Sequence, residues 1–213
     1  MATEPTDLQK PASTPAPEAK PSFWQSQREN VQILAIALLL SLFIRTFIAE
    51  PRFIPSDSMV PTLAIGDRLV VEKVSYRLHP PEQGDIIVFE PPAILQDIGY
   101  GQDQAFIKRI IGLPGQTIAV HQGQVVVNGQ AIAEPYIAAP PAYEMPAVTV
   151  PANAYFVMGD NRNNSNDSHV WGFLPQANII GKAVFRFFPL NELWGTLPQA
   201  HISAVSPSST PED

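Results

Sequence analysis

The chain of 213 residues contains no cysteine. That absence excludes disulfide bonds, thiolate metal sites and a cysteine nucleophile. Basic residues are also scarce, because 13 Lys and Arg face 20 Asp and Glu, for a net charge of −7. Since phosphate groups are bound by clustered Lys and Arg, nucleic acid is not an expected partner. The length suffices for one domain with a hydrophobic core of its own.

The N-terminal part combines a polar tail with one long apolar segment. Residues 1–22 are rich in Pro, Ala, Thr and Glu, and we expect them to be disordered, as we do residues 203–213. Val31–Ala49 is a run of 19 residues in which Arg45 is the only charge. Because a helix of about 20 residues spans the hydrocarbon core of a bilayer, we predict a transmembrane anchor over residues 23–50.

Two other interpretations of the apolar segment stay open at this point. A buried core helix would have the same composition. A cleavable signal peptide needs small residues at positions −1 and −3, and cutting after Ala49 would place Phe47 at −3, which is too large. Positive charges are nearly balanced across the span, so charge alone does not set its orientation.

After the anchor the pattern changes to short β-rich runs separated by turns. A hairpin is predicted where Asn128-Gly129 separates Val125–Val127 from Gln130–Ile132. Residues 91–104 and 136–150 are predicted to be long loops. We therefore expect a mainly β, antiparallel domain. The other predicted strands are Arg68–Lys73, Asp85–Glu90, Phe106–Ile111, Thr117–His121, Tyr155–Met158 and Ala183–Phe188.

Three clusters carry residues suited to chemistry, and each has an ordinary structural interpretation. The first, Ile54–Leu63, presents serines between two prolines and is also compatible with a simple turn. The second, Phe106–Gly115, places Lys108 inside an apolar run, where it either points to solvent or is desolvated. A desolvated lysine has a lowered pKa and can act as a general base.

The third cluster, Gly159–Ser168, is dense in Asn, Asp and Ser, which form turns through their own side chains. Its oxygens are also the ligands that calcium prefers. However, the spacing is not that of an EF-hand loop, and Arg162 stands in the middle of the segment. We therefore expect no metal here.

Taken in order, these motifs resemble those of the bacterial type I signal peptidases, with a cyanobacterial or plastid-type member as the suggested subtype. The resemblance runs from about residue 31 to about residue 190. The matching motifs, which follow an N-terminal anchor, are Ser-x-Ser-Met-x-Pro-Thr-Leu from Ser56, Gly66–Lys73, Lys-Arg-x-x-Gly-Leu-Pro-Gly from Lys108, and Gly-Asp-Asn-Arg-x-x-Ser-x-Asp-Ser from Gly159.

The resemblance implies a serine peptidase domain over residues 51–202, with a barrel-like antiparallel sheet and an inserted hairpin region. Ser58 matches the nucleophile and Lys108, 50 positions downstream, the general base. Ser56 matches a serine that completes the oxyanion hole, and Ser165 one that orients the lysine. Four further matches are expected to brace the site: Arg109, Asp160, Arg162 and Asp167.

The same resemblance implies two apolar pockets that admit small side chains, and hence an Ala-x-Ala cleavage site. The predicted walls of the −1 pocket are Ile54, Pro55, Met59, Leu63, Phe106 and Ile107, and those of the −3 pocket are Ile54, Leu69, Val88 and Ile107. Two departures from the best-known members bear on the site: Arg52 replaces a phenylalanine near the −3 pocket, and His169 replaces an arginine after Asp-Ser.

A type I signal peptidase acts through an acyl-enzyme and needs no cofactor. The implied partners are signal-peptide-bearing pre-proteins, membrane lipid and, indirectly, the export translocon. The implied location is a single-pass membrane protein of the plasma or thylakoid membrane, with its catalytic domain on the extracytoplasmic side. Three rivals have less support: a self-cleaving repressor, which would need a DNA-binding domain; a non-catalytic tethered β module; and a mitochondrial-type relative.

Overall fold

The computed structural model describes residues 23–190, 195–198 and 200, and for residues 23–26 it describes the backbone alone. The predicted tails at 1–22 and 203–213 lie outside the described residues. Helix α1 spans Phe23–Phe47. Within it, Gln27–Phe47 is long and apolar enough to cross a membrane, and the side chains of that stretch are exposed to solvent.

The helix ends earlier than the predicted anchor. It stops at Phe47, and strand β1 begins at Ala49. Pro51 explains the boundary, because a proline disfavours the helical conformation of the residue before it and cannot donate a helical hydrogen bond. Residues 49–53 therefore belong to the sheet rather than to the anchor.

Twelve strands are present in the described residues, and all of their pairings are antiparallel. The smaller sheet has the order β7-β6-β5-β8, and the larger has the order β1-β2-β11-β3-β4-β9-β10, with β12 paired to β11. The strands are β1 Ala49–Phe53, β2 Arg68–Glu72, β3 Ile86–Phe89, β4 Phe106–Gly112, β5 Thr117–His121, β6 Gln124–Val127, β7 Gln130–Ala131, β8 Met145–Thr149, β9 Ala154–Met158, β10 Leu174–Pro175, β11 Ile179–Phe188 and β12 Gly195–Thr196.

The predicted fold class is confirmed, and each predicted strand is found within a few residues of its expected bounds. The hairpin is also confirmed. Asn128 and Gly129 both have positive φ, at 51° and 81°, as a two-residue primed turn requires.

The two predicted long loops were wrong in part. Residues 91–104 contain helix α3 (Ala93–Asp97), and residues 136–150 contain strand β8. Pro146 favoured a loop, but β8 is an edge strand, where the missing N–H of a proline is tolerated. The other short helices of the described chain are α2 (Ser75–Leu78) and α4 (Ser168–Trp171).

Strand β4 is central in the larger sheet and is covered on both faces. Its residues from Ile107 to Gly112 are all buried, so a charged side chain on this strand has no solvent face to point to. By contrast, β2 alternates, with Leu69 and Val71 buried and Arg68 exposed. Lys108 is thus placed in the interior by the topology of the sheet.

The core next to the first cluster is aliphatic. Met59, Leu63 and Leu69 are completely buried there. This hydrophobic cluster lies between the segment after β1 and the large sheet, and it fixes the backbone that carries Ser58. Its members are Ile54, Met59, Leu63, Leu69, Val71, Ile86, Val88, Ile107, Ala183 and Leu197.

We predict that Leu69→Ala lowers the free energy of unfolding by about 2–5 kcal/mol, because it removes a buried side chain and leaves a cavity. Ile65→Ala, whose side chain is 62% exposed, serves as the control and should change the value by less than about 0.5 kcal/mol. Denaturant unfolding of the protein in detergent measures both. Equal effects of the two substitutions would contradict the described core.

Candidate active site

Ser58 and Lys108 meet in the interior of the domain. The Lys108 Nζ donates a hydrogen bond to Ser58 Oγ at 2.7 Å and another to the carbonyl oxygen of Ile107 at 3.0 Å. Ser58 is 7% exposed and Lys108 is 3% exposed. A hydroxyl is therefore in direct contact with an amine that water barely reaches, which is the arrangement of a nucleophile and its base.

The backbone around Ser58 is held from two sides. On one side, the neighbouring side chains of Met59 and Leu63 are completely buried. On the other, the loop of the third cluster supplies donors: the Asn161 N–H binds the carbonyl oxygen of Ser58 at 3.0 Å, and Asn164 Nδ2 binds the Asp57 carboxylate at 2.9 Å. The serine is thus presented on a fixed backbone.

Burial lowers the pKa of Lys108 to about 8, because the ammonium loses its hydration. The carboxylates of Asp167 and Asp160 act in the opposite direction and keep the pKa from falling further. A substantial neutral fraction near physiological pH follows, as a general base requires. The sequence left open whether Lys108 faces solvent, and the structure places it inside.

Arg109, the next residue of β4, forms a buried ion pair with Asp160. Its Nε and Nη2 donate to the two carboxylate oxygens at 2.9 and 2.7 Å, and both side chains are 0% exposed. Nη1 donates to the Gly84 carbonyl at 2.9 Å, and the Thr62 hydroxyl donates to Asp160. This pair joins β4, the serine segment and the third cluster.

Arg162 is braced in the same way by a residue that the sequence did not single out. Its two terminal nitrogens donate to the two oxygens of Glu134 at 2.7 and 2.6 Å, and its Nε donates to the Gly159 carbonyl at 3.0 Å. The Tyr136 hydroxyl also donates to Glu134, and the Tyr136 ring lies against the Arg109 guanidinium, 4.2 Å from its centroid. Glu134 and Tyr136 therefore link the two buried arginines.

Asp167 is completely buried and serves as an acceptor for the loop. Its carboxylate accepts from the Gly159 N–H at 2.8 Å and lies 2.7 Å from His169 Nδ1. The His169 ring stacks on Tyr143, with ring centroids 4.3 Å apart. His169 thus contacts the buried aspartate through both its backbone N–H and its ring.

The other two predicted site serines, Ser56 and Ser165, differ in their exposure to solvent. Ser56 is exposed, with its Oγ 3.4 Å from that of Ser58. The Ser165 Oγ is buried and has no hydrogen-bond partner among the described residues, so the expected hydrogen bond to Lys108 is not formed in this structure. Ser165 is nevertheless close to Ser58, because a Cβ added at Gly159 would collide with both the Ser165 hydroxyl and the Ser58 carbonyl oxygen.

A groove leads from the Ser58–Lys108 pair along the start of β4. Its larger cavity, of about 320 Å³, is lined by Pro55, Ser56, Gln104, Ala105, Phe106, Ile107 and Lys108. A smaller cavity of about 20 Å³ is lined by Arg52, Phe53, Ile54, Pro55, Val88, Ala105, Phe106 and Ile107. Of the predicted pocket residues, Met59, Leu63 and Leu69 line neither cavity and are packed in the core cluster behind Ile54 and Val88.

Two sets of contacts that support the site were not predicted from the sequence. Arg186 on β11 is buried and donates to the Asp67 carboxylate at 2.8 Å and to the Thr62 carbonyl at 3.1 Å. Asp67 belongs to a quoted motif, but nothing marks Arg186 as its partner 119 positions away. Glu134 and Tyr136 lie in a short polar stretch that carries no motif signal. All of these contacts depend on tertiary structure.

The chain matches one described protein family over most of its length. A family described as "Signal peptidase, peptidase S26" matches residues 27–188. The chain belongs to the signal peptidase family. As a member of this family of serine peptidases, it cleaves signal peptides from pre-proteins, which confirms the resemblance read from the motifs.

Three relatives have sequences similar to that of this chain. The probable signal peptidase I-1 of Synechocystis sp. is 66% identical over 169 residues, which cover 79% of this chain and 86% of that protein. Signal peptidase I of Leptolyngbya laminosa is 49% identical over 190 residues, covering 88% and 94%. The probable thylakoidal processing peptidase 2 of Arabidopsis thaliana is 47% identical over 161 residues, covering 76% and 44%.

We predict that kcat/KM of this signal peptidase rises with pH along a limb with its midpoint near 8, because we expect Lys108 to accept the proton of Ser58 and only the neutral amine can do so. Asp167→Asn should move the limb to lower pH, since it removes a negative charge that favours the ammonium. Asp97→Asn makes the same change of net charge at an exposed carboxylate of α3 and should leave the midpoint in place. Peptide cleavage across pH measures all three. A midpoint near the ordinary lysine pKa would contradict the described burial.

We predict that Asp160→Asn lowers the free energy of unfolding by about 3–5 kcal/mol, because it leaves the buried Arg109 guanidinium without a counter-charge. Glu144→Gln, which removes one partner of the exposed His121–Glu144 pair, should cost less than about 1 kcal/mol. Denaturant unfolding distinguishes the two. A small effect of Asp160→Asn would show that the Arg109 pair does not brace the site.

Proposed function

We propose that this signal peptidase cleaves pre-proteins after Ala-x-Ala-like sites, with Ser58 as the nucleophile and Lys108 as the general base. The observation that carries the proposal is the 2.7 Å contact between Lys108 Nζ and Ser58 Oγ inside the domain. It joins the one buried lysine side chain of the described residues to a serine on a rigid backbone.

The reaction begins with neutral Lys108. The amine takes the proton of the Ser58 hydroxyl as the oxygen attacks the carbonyl carbon of the −1 residue. This Ser–Lys arrangement needs no histidine. The negative charge that develops on the carbonyl oxygen is stabilised by the Ser58 N–H and the Ser56 hydroxyl, which lies 3.4 Å from Ser58 Oγ and is free to rotate. One such donor typically contributes about 3–4 kcal/mol.

The tetrahedral intermediate then collapses. Lys108 returns its proton to the leaving nitrogen, so the mature protein departs with a new N-terminal amine and the signal peptide stays as an ester on Ser58. Water, deprotonated by the same amine, attacks the ester in the second half of the reaction. Ser165 is proposed to orient the amine when the substrate displaces water, since its buried hydroxyl has no partner among the described residues.

The two cavities of the groove are proposed to receive the −1 and −3 side chains of the substrate. Pro55, Phe106 and Ile107 line the larger cavity beside the reacting groups, where the −1 side chain is proposed to bind. Ile54, Val88 and Ile107 line the smaller cavity, where the −3 side chain is proposed to bind. Met59, Leu63 and Leu69 are proposed to support these walls from the core.

The apolar helix supports a membrane location. The stretch Gln27–Phe47 is proposed to anchor the chain in the plasma or thylakoid membrane, with the N-terminus in the cytoplasm or stroma and the peptidase domain on the opposite side, where the export translocon delivers pre-proteins. Membrane lipid is then a constant partner, which fits a substrate whose signal peptide is itself apolar.

We predict that the wild-type protein in detergent cleaves a pre-protein carrying an Ala-x-Ala site after the second Ala, as N-terminal sequencing of the product would show. Ser58→Ala and Lys108→Ala should each reduce the rate by at least about a thousandfold, because nucleophile and base act as a unit. Lys73→Ala, which removes a lysine outside the site, should cleave at the wild-type rate, and a chelator should have no effect.

Three outcomes would contradict the proposal. Full activity of either Ser58→Ala or Lys108→Ala would remove that residue from the mechanism. Loss of activity with the chelator would indicate a metal-dependent reaction. An intact pre-protein in every lane, with folded protein and a substrate that a known signal peptidase cleaves, would favour the non-catalytic tethered module.

A further inference from the structure

The two cavities of the groove form one continuous surface. They share Pro55 on one side and residues 105–107 on the other. The larger cavity adjoins Ser56 and Lys108, and the smaller one extends away from these groups to Arg52. An extended peptide lying between the two walls would place alternate side chains in the two cavities, because side chains two residues apart point to the same face of a strand, roughly 7 Å apart.

The smaller cavity differs chemically from the larger one. Apart from Arg52, it is lined by hydrophobic residues. Arg52 lies on β1 opposite Leu69 of β2, and its side chain is 34% exposed. A purely apolar lining would suit alanine or valine, but Arg52 brings to this lining a side chain whose guanidinium carries hydrogen-bond donors.

The guanidinium of Arg52 is held in place without using all of its donors. Its Nε donates to Glu50 Oε1 at 2.6 Å, and its Nη2 contacts the same oxygen. The other oxygen of Glu50 accepts from Lys73 Nζ at 2.7 Å. Within the described residues, the Arg52 Nη1 has no hydrogen-bond partner. Arg52, which lines the cavity, therefore keeps a donor with spare capacity.

We propose that Arg52 is a specificity-determining residue that favours a hydroxyl-bearing side chain over a purely apolar one at position −3 of the substrate. This inference rests on the proposed function, which places the −3 side chain in the smaller cavity. The size of the cavity limits the −3 residue to a small one, and serine and threonine are the small side chains with a hydroxyl that can accept a hydrogen bond from Arg52.

The preference for a hydroxyl at position −3 follows from the hydrogen bond that Arg52 can donate to it. A hydroxyl that leaves water for an apolar cavity loses its hydrogen bonds, and this loss ordinarily disfavours threonine against valine, which has the same shape. A charged donor at the wall restores a hydrogen bond that is stronger than one to a neutral group. A site that hydrogen-bonds a substrate group discriminates against the analogue that lacks it.

The test compares two peptides that differ only in threonine or valine at −3, with alanine at −1. The ratio of kcat/KM for the threonine peptide to that for the valine peptide is measured for the full-length wild type and for Arg52→Met in detergent. Methionine fills a similar length of wall without a donor. We expect the ratio to fall by about tenfold in Arg52→Met, as expected for the loss of one hydrogen bond to a charged group.

Arg77→Met is the matched control. It makes the same substitution at an exposed arginine of α2 that lines neither cavity. Its ratio should equal that of the wild type. An equal fall of the ratio in Arg77→Met would assign the effect to net charge and overturn the role of Arg52.

A peptide with alanine at both −1 and −3 separates this inference from the function on which it rests. If the wild type leaves that peptide intact, the proposed function fails. If both proteins cleave it but have the same threonine-to-valine ratio, only the role of Arg52 fails. A wild-type ratio below one also overturns that role, and this result needs no variant.

Discussion

The proposed role of the contact between Lys108 and Ser58 depends on keeping the Lys108 amine out of water. An ammonium on an exposed strand has its ordinary pKa and stays charged, so it cannot take a proton from a serine. Here β4 is the central strand that carries Lys108, and both faces of that strand are covered. Burial brings the pKa of the lysine to about 8, while Asp160 and Asp167 limit the fall. The fold thus lowers the pKa of Lys108, as its proposed role as a base requires.

The charged residues around the site keep this arrangement rigid. Two of the buried arginines each face one carboxylate with bidentate geometry: Arg109 with Asp160, and Arg162 with Glu134. Because a buried ion that loses its partner is left without a counter-charge, removing one member of either pair is strongly destabilising. Their contribution is positional: they hold the loop that contains Gly159 against the backbone of Ser58, where a side chain larger than hydrogen does not fit.

Much of the fold and of the reacting pair could be predicted from the sequence, because strands and hairpins leave local patterns. The run from Phe106 to Ile111 and the Asn128-Gly129 turn are examples of such patterns. Long-range contacts leave none. Nothing in the sequence around Glu134 indicates that it pairs with Arg162, and Pro146 makes the edge strand β8 resemble a loop. The sequence left open whether Lys108 is solvated or desolvated, since that depends on which strands lie beside β4. The order of the motifs indicated the function, whereas the contacts that support the site are visible only in the three-dimensional structure.

The central claim is that Lys108 is desolvated by the fold before any substrate binds. Its most direct test is an NMR titration of the lysine side-chain nitrogens in the folded protein in detergent, with the Lys108 signal assigned from its absence in Lys108→Arg. We expect the Lys108 signal to titrate with a midpoint near 8 and to keep a lowered midpoint in Ser58→Ala. A Lys108 signal that titrates near the ordinary lysine pKa of about 10.4 would contradict the account.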